Sequence, residues 1–122
     1  GRHYFEVEVF TGGDKGHWRV GWATKSVPRG GFRLLGEDKG SWGYDGDGGK
    51  KYHNSEFPEY GLPFQEPGDV IGCFLDLEAG TISFYKNGKY LGLAFFDVTF
   101  SGPLYPAVSL GNGGSVRLNF GP

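Results

Sequence analysis

The sequence predicts an all-β fold, an antiparallel sandwich or barrel with no significant helix. Apolar residues recur at every second position, whereas the 3.6-residue spacing of an amphipathic helix is missing. The chain contains 24 Gly and 7 Pro, and its turn signals divide it about every 8–12 residues, as in proteins built from many short strands. Its 11 Phe, 7 Tyr and 3 Trp supply enough bulky apolar surface to argue against disorder.

Four strands are expected in the first half of the chain. Apolar and polar residues alternate over residues 5–9, which places the apolar set on one face of a strand. Tryptophan and valine repeat the pattern over residues 18–22. We expect a third strand around residues 42–44, with a short partner at residues 51–53.

The second half predicts five more strands. The apolar run 70–77 follows the turn Glu66-Pro67-Gly68-Asp69, and it is typical of a strand that is buried on both faces and central to a sheet. Asn87-Gly88 is a strong hairpin signal, because both residues tolerate the positive φ of the tight turn. The remaining strands are expected at residues 81–85, 91–96, 104–110 and 116–120. The total of about nine or ten strands, one of them covered on both faces, favours two stacked sheets over a barrel.

Glycines occur both between and inside the predicted strands. Many fall at predicted turns, where a permissive backbone is needed. Gly21, Gly43 and Gly72 lie inside strands, where glycine indicates a bulge, a bend or a close approach of another part of the chain.

Length and composition limit the class of protein. With 122 residues the chain suffices for one domain over residues 1–122, which we expect to be monomeric in isolation. No apolar run reaches the roughly 20 residues that span a bilayer, so no membrane association is expected. The single Cys73 excludes an internal disulfide and a cysteine zinc site, and it favours an intracellular compartment, cytoplasmic or nuclear. The absence of Met, even at position 1, indicates a piece of a longer protein or a designed sequence.

Charge argues against a dedicated nucleic-acid domain. The net charge is −2, and residues 1–53 carry a small positive excess while residues 54–122 are acidic. Phosphate-backbone binding usually needs a clustered basic face. Folding could still gather basic side chains on one surface, and the candidates are Lys15, Arg19, Arg29, Arg33, Lys50 and Lys51.

The sequence contains residue types that are used in catalytic and metal sites, but their spacing and surroundings do not fit such a site. Cys73 lies in an apolar strand, where burial makes a thiol inert. Asp45-Gly46-Asp47-Gly48-Gly49 resembles the start of a calcium loop but has Gly49 at the third ligand position. The pairs Glu37-Asp38 and Asp76/Glu78 show no sign of facing each other across a cleft, and we expect Asp76 to accept hydrogen bonds at a strand end. We therefore expect no catalytic residues, no metal and no cofactor.

The order of motifs resembles the SPRY domain, the core of the B30.2 module. The resemblance runs through nearly all of the chain and is carried by these segments: Tyr4-Phe5-Glu6-Val7-Glu8-Val9, Val20-Gly21-Trp22-Ala23, Leu35-Gly36, Ser41-Trp42-Gly43-Tyr44-Asp45-Gly46, Gly68-Asp69-Val70-Ile71-Gly72-Cys73, Leu75-Asp76-Leu77, Ile82-Ser83-Phe84-Tyr85-Lys86-Asn87-Gly88, Leu104-Tyr105-Pro106-Ala107-Val108-Ser109-Leu110 and Asn119-Phe120-Gly121.

The resemblance implies a bent, concanavalin-like jelly-roll sandwich whose loops at one end bind proteins. Residues 50–54, 60–61, 64 and 91–95 are most similar to the version inserted in a DEAD-box RNA helicase. The resemblance extends evenly along the chain without a long insertion, so the sequence also resembles a consensus or idealised member of the family. The loop residues with which adaptor members grip short peptide motifs are not matched, so their peptide specificity is not transferred.

The function expected from these observations is non-enzymatic binding of a partner protein or short peptide. Three long segments are predicted as exposed loops, and loops on a rigid β scaffold usually carry binding residues: 11–17, 25–38 and 45–63. The candidate partner-binding residues are Arg29, Phe32, Arg33, Tyr52, His53 and Asn112. Phe32 could instead fold onto the core, and His53 could stabilise a turn. The alternatives are RNA binding by a basic surface and, less favoured, sugar binding by exposed aromatic residues.

Overall fold

The structure is a computed structural model that describes most of the chain. The described residues are 1–11, 18–24, 35–36, 39–64, 66–100, 102–110 and 114–120. They contain nine β-strands and no helix: β1 (Arg2–Thr11), β2 (Arg19–Thr24), β3 (Ser41–Asp45), β4 (Lys51–His53), β5 (Val70–Asp76), β6 (Thr81–Lys86), β7 (Lys89–Phe95), β8 (Leu104–Ser109) and β9 (Ser115–Asn119). Among these residues there is thus no helix that could serve as a membrane span.

The strands form two antiparallel sheets, as the alternation and turn signals predict. The five-stranded sheet has the order β7-β6-β5-β1-β9, and the four-stranded sheet has the order β4-β3-β2-β8. The fold class expected from the sequence, an antiparallel sandwich rather than a closed barrel, is confirmed. The apolar faces of both sheets meet in one core, whose largest fully buried side chains are Trp18, Tyr44, Phe5, Phe64, Phe84, Ile71, Leu75 and Ile82.

Strand β5 is central to its sheet, as predicted, but it is not buried on both faces. Ile71, Cys73 and Leu75 point into the core, whereas Val70 and Phe74 on the outer face are only half-buried. The apolar run therefore corresponds to a strand with one buried and one partly exposed face rather than to a fully enclosed strand.

The two predicted turns on either side of the β5–β6 hairpin form as expected. Glu66 O accepts a hydrogen bond from Asp69 N at 3.0 Å, and Gly68 between them has φ 93°. Asn87 and Gly88, which join β6 to β7, have φ 51° and 84°, the positive values that a tight hairpin turn needs.

The glycines inside strands mark close approaches. A Cβ atom on Gly43 would lie 3.0 Å from the Cβ of Leu35, and one on Gly72 would lie 2.2 Å from the hydroxyl oxygen of Tyr4. Side chains from elsewhere in the chain thus occupy the space that the glycines leave open. Of the three origins considered for these glycines, close approach is the one observed.

Candidate functional site

The segment 45–63, predicted as a long exposed loop, is largely a folded hairpin at the edge of the four-stranded sheet. After β4 the chain reverses at Asn54 and Ser55, both with positive φ, and residues 56–59 run back along β4. His53 N donates to Glu56 O at 3.1 Å, and Lys51 N donates to Pro58 O at 3.1 Å. The hairpin therefore covers the edge of β4 that would otherwise be open to pairing.

Tyr52 and His53, both predicted to bind a partner, lie on opposite faces of β4. Side chains alternate along a strand, and His53 pairs with Trp42, whose side chain is in the core. His53 therefore points towards the space between the sheets, whereas Tyr52 points to the outer face. A single flat partner surface on this sheet could contact Tyr52 but would not reach His53.

Tyr52 belongs to a cation–aromatic stack on the outer face, which we call the outer stack and define as Arg19, Tyr52, Phe57 and Lys50. The Arg19 guanidinium carbon lies 3.7 Å from the centre of the Tyr52 ring. The rings of Tyr52 and Phe57 stack at 5.6 Å with 24° between their planes, and Lys50 Nζ lies 5.3 Å from the centre of the Phe57 ring. Phe57 is 55% exposed, so the stack presents an aromatic surface to solvent.

Arg19 is held in place by its surroundings. It is only 8% exposed, and its Nη1 donates to Leu35 O at 2.9 Å. A desolvated guanidinium over a tyrosine ring contributes about 2 kcal/mol, against about 0.5–1 kcal/mol for an exposed pair. Arg19 is therefore expected to orient the Tyr52 ring.

Leu35 and Gly36 lie across the same outer face. Gly36 N donates to Ser41 Oγ at 2.7 Å, and Leu35 N donates to Ser109 Oγ at 3.1 Å. Gly36 has φ 90°, and a Cβ there would lie 2.2 Å from the Cβ of Tyr52. The backbone thus packs directly against the base of the outer stack.

His53 takes part in a separate groove between β4 and the segment after β7. Its ring stacks on Trp42 at 4.7 Å with 8° between the planes, and its Nδ1 lies 2.9 Å from Ser41 O. Because a carbonyl can only accept, Nδ1 is the donor in this contact. The groove has a volume of about 460 Å³ and is also lined by Lys51, Phe95 and Phe96. Both interpretations of His53, partner contact and local stabilisation, concern this groove, and the stacking on Trp42 favours the second.

The groups considered for chemistry have structural roles where the structure describes them. Cys73 is fully buried, and burial raises the pKa of its thiol. Asp45 accepts hydrogen bonds from Asp47 N at 3.1 Å and Gly48 N at 2.9 Å, so its carboxylate closes a turn. Across the described ranges no three His, Cys, Asp or Glu side chains form a group that could hold a metal ion.

Asp76 accepts hydrogen bonds at the end of β5, as predicted. Its Oδ1 accepts from Ala79 N at 3.0 Å and from Glu78 N at 3.1 Å, and Arg2 Nε lies 3.5 Å from its Oδ2. These donors and the nearby positive charge lower the pKa of the Asp76 carboxyl. Asp76 thus closes the turn that follows β5.

Four of the six predicted partner-binding residues lie outside the described residues, namely Arg29, Phe32, Arg33 and Asn112. The pair Glu37-Asp38 and the basic Lys15 lie outside them too. Phe57 was missed as a candidate, and Arg19 was named only for its charge. The alternation on β4 could have separated Tyr52 from His53, but the pairing that brings Phe57 beside Tyr52 has no strong sequence signal.

Comparison with known proteins finds a family model and relatives that match this chain. A family model described as "SPRY domain" matches residues 2–122. The chain is 42% identical over 121 residues, 99% of its length, to the "Probable ATP-dependent RNA helicase ddx1" of Dictyostelium discoideum. It is 45% identical over 95 residues, 78% of its length, to the "ATP-dependent RNA helicase DDX1" of Xenopus laevis. It spans only 14% and 12% of these two relatives, and the resemblance predicted from the sequence is confirmed.

Proposed function

The chain belongs to the SPRY domain family, and on that premise we propose that it is a non-enzymatic module that binds a partner protein or short peptide. SPRY domains are in general non-catalytic interaction folds. The binding surface would include Tyr52, together with the loop residues Arg29, Phe32, Arg33 and Asn112. An intracellular setting, cytoplasmic or nuclear, and a monomeric state are part of the same proposal.

The outer stack is the observation that carries this proposal. Tyrosine, tryptophan and arginine are enriched among the residues that supply most of the energy in protein interfaces. Aromatic side chains bury a large area with little loss of side-chain freedom. Phe57 and Tyr52 offer adjoining rings whose geometry is already set by Arg19 and by the hairpin. A partner would find this surface largely preformed.

The test compares alanine variants of three aromatic residues in a capture experiment with the 122-residue chain. Phe57→Ala and Tyr52→Ala remove rings from the outer stack, whereas Phe10→Ala removes an exposed ring from β1 on the other sheet. We expect a partner that is retained by the wild type and Phe10→Ala and lost by both outer-stack variants. Retention of every partner by folded Phe57→Ala and Tyr52→Ala protein would place the binding surface elsewhere.

His53 remains a prediction within this proposal. It would contact a partner only if the partner extended over the hairpin into the groove beside Phe96. The matched variant is Phe96→Ala, because Phe96 lines the groove and is highly exposed. Loss of a partner in both His53→Ala and Phe96→Ala would support that wider surface, and an effect of His53→Ala on stability alone would assign it to packing on Trp42.

RNA binding is the second candidate, favoured by the cations on aromatic rings in the outer stack. Bases stack on such rings, and the relatives are named as RNA helicases. Lys51, however, donates to Ala94 O at 2.6 Å, and Lys50 lies 4.0 Å from Glu59. Cations that are already engaged in this way favour a protein partner. Binding of oligouridine that weakens steeply between low and moderate salt would instead favour RNA over a protein as the partner.

A further inference from the structure

Three tyrosines cross the outer face of the five-stranded sheet and form what we call the tyrosine row: Tyr4 on β1, Tyr85 on β6 and Tyr90 on β7. Their neighbours Phe5 and Phe84 point into the core, so the tyrosines point outwards. The Tyr4 and Tyr85 rings lie 6.1 Å apart at 76°, and the Tyr85 and Tyr90 rings lie 5.2 Å apart at 51°. The inclined rings touch one another and form a continuous, uneven aromatic surface.

Gly72 makes the row continuous. In the register of the sheet Gly72 lies opposite Tyr85 on one side and Glu6 on the other, so a side chain here would stand between the first and second tyrosine. The Tyr4 ring leans into that space, with its hydroxyl 2.2 Å from where a Cβ of residue 72 would be. Glycine in the middle of a strand is unfavourable by about 0.5–1 kcal/mol relative to alanine, and here it permits the tyrosines to meet.

The tyrosine row ends at a carboxylate. Tyr4 Oη donates to Glu6 Oε2 at 2.9 Å. The neighbouring Glu8 accepts a hydrogen bond from Arg117 at 2.9 Å, but no lysine or arginine of the described ranges pairs with Glu6. Glu6 is therefore available to a cation from outside the domain.

We propose that the tyrosine row binds a proline-rich segment in the polyproline II conformation, with a basic residue of that segment directed at Glu6. Domains that recognise this conformation bind proline-rich segments on surfaces lined with aromatic side chains. A polyproline II helix makes no internal hydrogen bonds, so its carbonyls can accept from tyrosine hydroxyls. This surface lies on the opposite sheet from the outer stack and does not depend on it.

Length supports this occupant. From Tyr90 on β7 to Glu6 on β1 there are three strand spacings, or about 14 Å at about 4.8 Å each. A polyproline II helix rises about 3.1 Å per residue, so about four to five residues cover this span. That is the length of two prolines three residues apart with a basic residue beside them.

Charge favours a peptide over a nucleic acid. Glu6 and Glu8 lie on the face beside Tyr4, and Arg117 is already engaged by Glu8. Lys86 and Lys89 are next to Tyr85 and Tyr90 in their strands and, because side chains alternate, they point to the other face of the sheet. A phosphate backbone crossing the whole row would approach Glu6 at unfavourable electrostatic energy, whereas a basic peptide residue would gain there.

The test is a titration of the 122-residue chain with three fluorescein-labelled peptides. The first has two prolines three residues apart and an adjacent arginine, the second replaces the arginine by glutamate, and the third replaces the prolines by alanine. We expect saturable binding of the first peptide only. Tyr90→Ala and Tyr85→Ala should weaken it about tenfold or more, because each ring is an anchor, and Tyr85→Phe should weaken it less.

Two further variants complete the test. Glu6→Gln should abolish the preference for arginine over glutamate, and Tyr105→Ala, which removes an exposed ring from β8 of the other sheet, should leave peptide binding unchanged. Tyr90 lies on an edge strand and is 50% exposed, so its variant is expected to fold. The proposal would be overturned by any of three results: no saturation at about millimolar peptide, equal binding of the alanine peptide, or selective binding of oligouridine or an oligosaccharide to this face.

Discussion

A Cβ atom on Gly21 would lie only 1.8 Å from the carbonyl oxygen of Trp42 on the neighbouring strand. The obstacle is backbone, and Gly21 pairs with Gly43 in the centre of the four-stranded sheet. The two strands would therefore have to move apart or change register to make room for a side chain at position 21. Because of this contact, the fold requires glycine at position 21.

Replacement of Gly21 by alanine is expected to destabilise the domain strongly, by at least about 2 kcal/mol, because a backbone atom has to move. Urea unfolding followed by tryptophan fluorescence measures the difference. The matched control is Gly48→Ala, where a Cβ would meet nothing nearer than 3.4 Å and φ is not positive. Equal stabilities of the two variants would contradict the contact described here.

The Asn87 side chain is expected to stabilise the hairpin beyond its backbone conformation. Asn87 Oδ1 accepts from Val70 N at 2.8 Å, and its Nδ2 donates to Asp69 Oδ1 at 3.1 Å. Asn87→Gly retains the ease of positive φ and loses these bonds, whereas Asn87→Ala loses both. We expect losses of about 1 kcal/mol for glycine and more for alanine in urea unfolding. An unchanged stability of Asn87→Gly would show that only the turn conformation counts.

Stability should fall in acid partly through Asp76. Its pKa in the folded protein is lowered from the ordinary 3.8 by the hydrogen bonds of the turn and by Arg2. The folded state thus binds this proton more weakly than the unfolded state, and the contribution of Asp76 is present above about pH 4 and is lost as the pH falls through the lowered pKa. The unfolding midpoints of the wild type and Asp76→Asn should differ at pH 7 and converge in acid. A constant difference would exclude the carboxylate charge as the cause.

Tyr60 should make the domain sensitive to alkali. Its hydroxyl donates to Gly92 O at 2.6 Å and accepts from Phe84 N at 3.2 Å, and burial raises its pKa above the ordinary 10.0. The unfolded state releases the proton first, so stability is fully present below pH 10 and declines as the pH rises above it. Tyr60→Phe should be less stable at pH 7 and less affected by alkali. The same alkaline decline in wild type and variant would argue against Tyr60.

The Cys73 thiol is expected to be unreactive until the protein unfolds. It is fully buried in β5, so reagents cannot reach it, and burial raises its pKa, so little of the reactive thiolate forms. Labelling with a chromogenic disulfide should be slow at pH 8 and rapid in concentrated urea. Fast labelling of the folded protein would show that the β5 face opens readily.

Much of the fold could be predicted because it rests on local signals. Alternation defined the strands that have one buried face, and the turns at Gly68 and at Asn87-Gly88 follow from backbone preferences that act within four residues. The apolar run of β5 predicts a strand covered on both faces, and this prediction is wrong because hydrophobicity alone does not distinguish a buried face from a partly exposed one.

The candidate site was less accessible to prediction because it depends on pairing between distant residues. Tyr52 could be named from its loop-like surroundings, but its stacking partners Arg19 and Phe57 come from another strand and from a returning segment. The turn that returns this segment contains Ser55 at positive φ. This conformation is unusual for serine, so the sequence does not predict the turn. The role of Gly72 beneath Tyr4 likewise required the register of two strands.

The alternation on β4 also bears on how this domain can change over generations. Position 52 faces outwards and can be replaced without disturbing Trp42, whereas position 53 is tied to that ring and to the groove. The proposed role of Tyr52 in recognition and the packing role of His53 thus fall on adjacent residues that can be replaced separately. A slip of β4 by one residue would turn residue 52 inwards and residue 53 outwards. The hairpin that fixes the register of β4 therefore also keeps Tyr52 on the outer face.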